Sequence, residues 1–412
     1  MSIKKFFTVA ALITFTAGVA FSDNFFAKRF YEVRFGAEAG FSNNLLAANK
    51  LLQKELVIDL PTLYAECPKN GMTFIATANP SSEMNVNVLG VTVGVKGGID
   101  VYEKMNFERG FFEFLGKGNT LGEPLSFGFT NDTDIFAYSQ LNVGFKVWKF
   151  MVYAQPSVFL PVLSIRNSGG VLTVQNDEDG SIHAALDANF NIYSGFTLTQ
   201  YDADSGSYKM NNIGAGTIDE AIASGYGFDL GGTMRLPLGR DLSIDAVARI
   251  PMIPGKLNSH ASYSAGFTYD AESIMGLTDA EMETSSGGFS ASESETLYIN
   301  RPLKAAVYVN QNILGTLLTL RGGAGFGVQR PFSDSFYIYP EYYLGAELNL
   351  ADVMKFNVST QYRDQLFIHQ MGGTVNIRLI QVDAGVSVQS ANFIKSCQGA
   401  GFGAYGYITI GF

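Results

Sequence analysis

The chain has 412 residues, of which 47% are hydrophobic and 16% are charged, and its formal net charge is −10. This acidic balance argues against nucleic acid as a partner, because contact with phosphates requires a basic face. Two cysteines, Cys67 and Cys397, are too few to define a disulfide framework, although an oxidising compartment would permit them to pair.

The N-terminus has the pattern of a secretory signal peptide. Lys4 and Lys5 precede an apolar run over residues 6–13, and small residues follow at positions 20–22. A membrane anchor is the alternative, but the apolar run is short for one. We therefore expect residues 1–22 to be removed and the mature chain to begin at Asp23.

Residues 23–85 lack the strand pattern of the rest of the chain. Asn43 and Asn44 precede a helical spacing of apolar residues from Leu45 to Leu56, and Pro61 ends the next apolar stretch. We expect this region to form a hatch that plugs a lumen, since its apolar side chains would otherwise face water. Packing below a barrel or over its rim are the alternatives.

Residues 86–412 show apolar and polar residues in alternation, and no apolar stretch after Ser22 reaches the ~20 residues of a transmembrane helix. We predict about fourteen strands, and 241–270 must bend, bulge or divide because it contains Pro251 and Pro254. The predicted strands span 86–101, 134–148, 150–165, 170–176, 181–197, 224–237, 241–270, 301–312, 316–328, 335–350, 354–364, 366–379, 381–391 and 400–412.

The chain ends within a predicted strand at an aromatic residue, Phe412. Bacterial outer-membrane barrels commonly close with such a strand, whereas a soluble protein would expose an unpaired edge. The prediction is an all-β fold, an antiparallel transmembrane outer-membrane β-barrel with an N-terminal hatch. We expect outer-membrane lipid around it, and the barrel-assembly machinery as a partner of the C-terminal strand.

The predicted connections sort by length. Short turns at 147–149, 239–241, 312–315 and 350–352 fall at one end, and long connections at 102–133, 198–223 and 271–300 fall at the other. Periplasmic turns are short in such barrels, so the short turns are assigned to the periplasm. The acidic loop 271–300 is either a solvated surface loop or an element that binds a cation or a partner. Residues 106–117 form either a membrane-grazing helix or a packed loop helix.

The chain has no recognisable catalytic or cofactor motif. Its three histidines, His183, His260 and His369, lie on separate strands, and the glycine-rich run 322–327 has no helix after it. We therefore expect no enzymatic activity, no cofactor and no metal.

Alternation places charges of both signs on the inner face of the barrel. These residues form either a structural network or a polar permeation path. Tyrosines beside Glu341 could form an amphipathic wall for a substrate with an apolar tail and a polar head. The candidate ligand and lumen residues are Arg321, Tyr337, Tyr339, Glu341, Tyr343, Glu347 and Arg363.

The chain resembles the FadL-like family of long-chain fatty-acid outer-membrane transporters, and within it a divergent, spirochaetal-type branch. The residues that carry the resemblance are 41–52, 107–115 and 401–412. It implies uptake of hydrophobic molecules through a hatch-controlled cavity, with exit through a break in the barrel wall. Proline removes a ladder hydrogen bond, so the candidate positions for that break are Pro156, Pro161, Pro251 and Pro254.

The expected function is uptake of hydrophobic small molecules, such as fatty acids or detergent-like lipids, with long-chain fatty acids foremost. A diffusion porin is the first alternative. A surface adhesin that binds through loop 271–300 is the second.

Overall fold

The computed structural model describes residues 29–47, 59–212, 214–271, 281–333, 336–350 and 353–412. The predicted signal peptide and most of the predicted helix that begins at Leu45 lie outside these residues.

Within the ranges given above, four short helices lie in connections between strands. They are α1 (Leu60–Glu66), α2 (Arg109–Lys117), α3 (Ala215–Ser224) and α4 (Phe393–Cys397). None of the helices in the described residues is long and apolar enough to cross a membrane. α2 lies within the stretch predicted as an aromatic helix, and it packs on α1 through a cluster around Leu45, Cys67 and Phe112. It is therefore a packed helix of the loop region.

The first nine strands are β1 (Tyr31–Asn43), β2 (Met72–Val88), β3 (Val91–Phe107), β4 (Leu125–Val147), β5 (Phe150–Asn176), β6 (Ile182–Ser194), β7 (Thr199–Asp202), β8 (Ser207–Met210) and β9 (Gly227–Pro237). The next five are β10 (Leu242–Ile253), β11 (Gly255–Leu257), β12 (Ser259–Ala271), β13 (Glu281–Phe289) and β14 (Leu297–Ile299). The last seven are β15 (Leu303–Ile313), β16 (Leu318–Gln329), β17 (Tyr337–Leu350), β18 (Met354–Arg363), β19 (Leu366–Ile377), β20 (Ile380–Ser390) and β21 (Gly401–Gly411).

The main sheet closes on itself. Its antiparallel ladder runs from β1 to β5, passes to β9, β10 and β15, continues to β21, and returns from β21 to β1. Closure gives every strand of the ring a partner on both sides, as a sheet surrounded by lipid requires. Eleven residue pairs, from Glu32↔Gly411 to Ser42↔Gly401, join the first strand to the last.

The ladder that closes the ring passes through fourteen strands, and two further strands extend the wall beside β5. β5 is one long strand over the predicted segments 150–165 and 170–176, and it changes partner from β9 to β6 along its length. β6 in turn pairs with β12. With these two strands counted, the barrel has 16 strands, and further strands lie outside it. The predicted stretch 241–270 divides into β10, β11 and β12, as its prolines indicated.

The N-terminal part of the chain belongs to the wall. β1 pairs with β2 and β21, and β2 pairs with β3, so these residues are not a hatch inside the lumen. The predicted boundary between residues 85 and 86 falls within β2, and a tight turn at Leu89 and Gly90 interrupts the predicted strand 86–101. The alternation is weak in β1 because several positions are glycine or alanine, which gave the sequence its non-strand appearance.

The predicted short turns at 147–149, 239–241 and 312–315 lie at the end of the barrel that holds Phe412, as expected; we call this the turn end. The predicted turn at 350–352 lies partly outside the described residues. The longer connections, with α1, α2 and α4, lie at the opposite end, which we call the outer end. The connection predicted at 102–133 is shorter than expected, because β3 extends to Phe107 and β4 begins at Leu125.

The outer surface of the wall is apolar. Large side chains that alternate with lumen-facing ones are exposed there, among them Ile338, Leu344, Val358, Met371 and Val386. The lumen-facing positions carry buried polar residues such as Asn142, Asp245 and Gln361. An apolar exterior around a polar interior is the arrangement of membrane-spanning barrels. The protein is therefore a multi-pass β-barrel of the outer membrane.

Candidate functional site

A small second sheet packs against the lumen side of the wall near the outer end. It consists of β11 and β14, which pair with each other. Leu257 and Ile299 from this sheet pack on Phe136 of β4 and Phe159 of β5, and all four side chains are buried. We call this element the inner sheet. It comes from the connections after β10 and before β15, whereas the sequence had predicted an N-terminal hatch.

The inner sheet fits because glycines leave space for Phe159. A Cβ atom at Gly227 or Gly255 would press against the Phe159 ring, so only glycine permits the close approach. The aromatic pair Phe136 and Phe159 has ring centroids 5.7 Å apart in an edge-to-face arrangement. Burial of these rings fixes the inner sheet against the wall.

Arg301 links the inner sheet to the wall. Its Nη2 atom donates to Asp100 Oδ2 of β3 at 2.7 Å, and its Nη1 atom donates to Asp229 Oδ2 of β9 at 3.0 Å. Nη1 is also 3.2 Å from Ser157 Oγ of β5, and the guanidinium lies 4.3 Å from the centre of the Tyr138 ring. A single buried arginine thus joins the segment after β14 to three strands of the wall.

A cavity of about 380 Å³ lies between the inner sheet and the middle of the barrel. We call it the outer cavity. Its apolar lining includes Val101, Phe136, Tyr138, Val247 and Ala305. Its remaining lining is polar and charged.

Ion pairs cross the far side of the outer cavity. Lys304 Nζ lies 3.0 Å from Glu341 Oε1 and 2.6 Å from Asp364 Oδ1. Arg363 Nη2 lies 2.7 Å from Glu38 Oε1. These pairs connect β1, β15, β17 and β18 across the interior, so they restrict the axial path as well as the shape of the cavity.

A second cavity of about 120 Å³ lies toward the turn end, and we call it the inner cavity. The Arg321 guanidinium is 4.3 Å from the Tyr308 ring centre and 5.9 Å from that of Tyr343. Lys355 Nζ lies 2.8 Å from Glu347 Oε1. The two cavities share Tyr343 and Arg363, so they are consecutive parts of one lumen.

The seven candidate residues predicted from the sequence divide into two groups. Arg321, Glu341, Tyr343, Glu347 and Arg363 line the two cavities. Tyr337 and Tyr339 lie near the outer end and contact the β18–β19 turn. Tyr339 OH donates to Asp364 Oδ1 at 3.0 Å, and Gln365 Nε2 donates to Tyr337 OH.

Sequence reasoning missed several charged residues of the lumen. Glu38 was assigned to the hatch, and Asp100, Arg301 and Asp364 stood in predicted loops or at strand ends. The period-two alternation could have identified Asp100, since it lies on the same face of β3 as Lys96 and Tyr102, which also line the lumen. Nothing in the local sequence marks Arg301, because its role depends on the path of the inner sheet.

The four candidate prolines lie in different settings. Pro156 is paired with Leu230 of β9, and Pro161 is buried at a register shift between β4 and β5. Pro251 is buried at a bulge in β10, and Pro254 follows the end of that strand.

The wall is incomplete beside Pro251. The ladder between β10 and β15 ends at Arg249↔Lys304, and among the described residues β10 has no partner on that side from residue 250 to 253. Ile250, Met252 and Ile253 are exposed there. The chain before β15 turns inward at this level, because Arg301 is held in the lumen. We call this gap the β10 notch.

The described residues contain no group of three or more His, Cys, Asp or Glu side chains that could hold a metal ion. Cys67 and Cys397 are both free; Cys67 is buried and Cys397 is exposed.

No protein-family model matches the chain, and no curated protein matches it. Among solved structures, it is similar to the toluene transporter TodX of P. putida, with a TM-score of 0.47, 6% identity, and 94% of this chain and 91% of that chain covered. The Ralstonia pickettii toluene transporter TbuX gives a TM-score of 0.43 and 9% identity, with 94% and 90% covered. The translocator domain of the autotransporter NalP from Neisseria meningitidis gives 0.34 and 8%, with 94% and 90% covered.

Proposed function

We propose that this barrel takes up small hydrophobic molecules that carry a polar head group, and that long-chain fatty acids are its substrates. The observation that carries the proposal is the outer cavity. It has a volume of about 380 Å³, and its lining contains aromatic and aliphatic side chains as well as charged ones. Pockets for small ligands commonly measure about 300–1,000 Å³ and combine an apolar lining with a few polar groups.

The closed axial path favours a substrate-specific route over free diffusion. A solute that enters from the outer end meets the inner sheet, and beyond it meets the ion pairs of Lys304 and Arg363. Separating such partly buried pairs costs free energy unless the solute replaces their contacts. A molecule held in the outer cavity therefore needs a rearrangement or a side exit.

We place the side exit at the β10 notch, which includes Pro251 and is followed directly by Pro254. An apolar groove of about 540 Å³ lies on the lipid-facing surface next to it, lined by Met234, Ala246 and Phe326 among others. The residues that separate this groove from the outer cavity are small or medium-sized and line both: Thr233, Val247, Ala248, Ala305 and Ala306. Pro156 and Pro161 lie in paired parts of the wall, so they are not part of this exit.

Uptake into liposomes tests the proposal. Purified protein is reconstituted, a labelled long-chain fatty acid is added outside, and its appearance in the lumen or inner leaflet is followed. We expect saturable uptake that an unlabelled fatty acid competes away, relative to liposomes with heat-denatured protein. Uptake that equals this control at every concentration would contradict the proposal.

A diffusion porin is the second candidate, and the polar inner cavity favours it. Its lining includes Glu38, Asn310, Arg321, Glu347 and Arg363, which suit a hydrated solute. Planar-bilayer recording separates the two functions. A porin gives large, steady conductance steps, whereas a barrel closed by the inner sheet gives small or rare ones.

A further inference from the structure

We propose that Lys96 is the head-group site of the outer cavity and that it binds the carboxylate of an amphipathic anion. The inference rests on the proposed function and adds to it the charge of the substrate. Lys96 differs from every other charged side chain that lines this cavity in lacking a partner of opposite charge among the described residues.

In the part of the chain that the structure describes, all six carboxylates that line the outer cavity have a cationic partner. Asp134 is paired with Arg166, with 2.6 Å between the charged atoms, and Asp100 lies 4.0 Å from Arg249. The other carboxylates, each paired with Arg301, Lys304 or Arg363, are Glu38, Asp100, Asp229, Glu341 and Asp364. The lining cations other than Lys96 are accordingly all neutralised by protein carboxylates.

Lys96 differs from these cations. It lines the same cavity, but its ammonium makes no hydrogen bond or ion pair with any residue that the structure describes. Its cross-strand neighbours are Gln140 on β4 and Glu83 on β2. Glu83 Oε1 is occupied by the amides of Asn85, at 2.9 Å, and Asn142, at 2.8 Å.

An ammonium in a partly enclosed, partly apolar cavity is less well solvated than in bulk water, and no carboxylate of the described residues lies within ion-pair distance of it to offset this loss. A carboxylate ligand would restore a charge-assisted hydrogen bond there. The apolar lining around Tyr138, Val247 and Ala305 would hold the attached chain. A singly charged anion with an apolar tail therefore suits the cavity better than a neutral hydrocarbon of the same length.

The test compares oleate with oleyl alcohol, which has the same chain but an uncharged head. Binding to the full-length protein in nanodiscs is measured for the wild type, Lys96→Gln, Lys96→Arg and the control Lys69→Gln, which alters an exposed loop lysine. We expect Lys96→Gln to weaken oleate binding about tenfold or more, because the substitution removes a hydrogen bond to a charged group. Oleyl alcohol should bind unchanged, and Lys96→Arg should retain most oleate binding.

The outcomes separate this inference from the proposed function. If the wild type binds oleate and Lys96→Gln does not change the ratio of oleate to alcohol affinity, the head-group site is wrong while the proposed function stands. An equal loss of both ligands would mean that Lys96 acts on the shape of the cavity, and it would also overturn the inference. If the wild type binds neither ligand, both proposals fail. Circular dichroism of each variant confirms that the barrel is folded.

Discussion

Arg301 is the side chain on which the closure of the lumen depends most directly. It is almost completely buried, and its two carboxylate partners, Asp100 and Asp229, belong to separate strands of the wall. Removal of one member of a buried ion pair is more costly than loss of the attraction alone, because the remaining charges are left without compensation.

We predict that Arg301→Ala loosens the inner sheet and raises the ion conductance of the barrel. The two carboxylates would draw water into the space that the guanidinium occupied, and their mutual repulsion would separate the elements around it. Single-channel recording measures the effect, with Arg240→Ala, an exposed turn residue, as the matched control. If both variants conduct like the wild type, Arg301 does not hold the lumen closed.

The two cysteines differ in their surroundings, although the sequence alone left open whether they pair. Cys67 lies at the C-terminal end of α1, and burial raises the pKa of its thiol, while the charge of Arg109 partly opposes this shift. Cys397 is exposed at the end of α4.

We predict that iodoacetamide modifies Cys397 much faster than Cys67 at pH 8. Alkylation requires an accessible thiolate, and a raised pKa lowers the thiolate fraction of Cys67 at any given pH below it. Mass spectrometry of Cys67→Ser and Cys397→Ser, each with one thiol left, gives the two rates. Unfolded samples serve as the control, in which both thiols should react alike; equal rates in the folded protein would disagree with the burial of Cys67.

At the scale of elements, the inner sheet is small and depends on its contacts with the wall. β11 and β14 share only three residue pairs, so their own hydrogen bonds contribute little. Leu257 is fully buried against Phe136 and Phe159. Packing on the wall, rather than pairing within the sheet, keeps this element in the lumen.

Leu257→Ala should therefore release the inner sheet without unfolding the barrel. A buried Leu→Ala change costs about 2–5 kcal/mol, and here the loss falls on an element with few other contacts. Hydrogen exchange should become faster at Gly255–Leu257 and Leu297–Ile299, while the wall strands stay protected. Leu344→Ala is the control, since Leu344 faces lipid. Unchanged exchange in the inner sheet would show that other contacts hold it.

At the scale of the whole molecule, stability depends on closure of the ring. β21 is hydrogen-bonded to β20 on one side and β1 on the other, and Phe412 contacts Phe30 and Tyr31 with ring centroids 6.2 and 5.9 Å apart. Without this strand two edges would face lipid with unpaired backbone groups, and each such group costs several kcal/mol.

Deletion of residues 401–412 should prevent formation of a folded barrel. Refolding into detergent is followed by circular dichroism and by the shift in gel mobility between unheated and heated samples. Deletion of α3 is the control, because α3 has 10 residues, close to the 11 of β21, but lies in an outer connection. This deletion should leave the shift in gel mobility intact. A truncated protein that still shows the wild-type shift would mean that the barrel closes through another pairing.

The sequence determined the class of fold, because the side chains of a strand alternate between two environments at a period of two. That rule placed Glu341, Tyr343 and Glu347 on one face of β17 and Ile338 and Leu344 on the other, and the structure agrees. The lengths of the connections identified the turn end, since short turns between long alternating segments are local features.

Only the tertiary structure decided which segment fills the lumen and where the wall opens. The inner sheet pairs residues 255–257 with 297–299. Arg301 donates a hydrogen bond to Asp100, which lies about two hundred positions away in sequence. Such contacts depend on how the ring closes and on where β5 exchanges one neighbour for another. No local pattern predicts these contacts, because the pairing partner of a strand depends on the arrangement of the whole sheet.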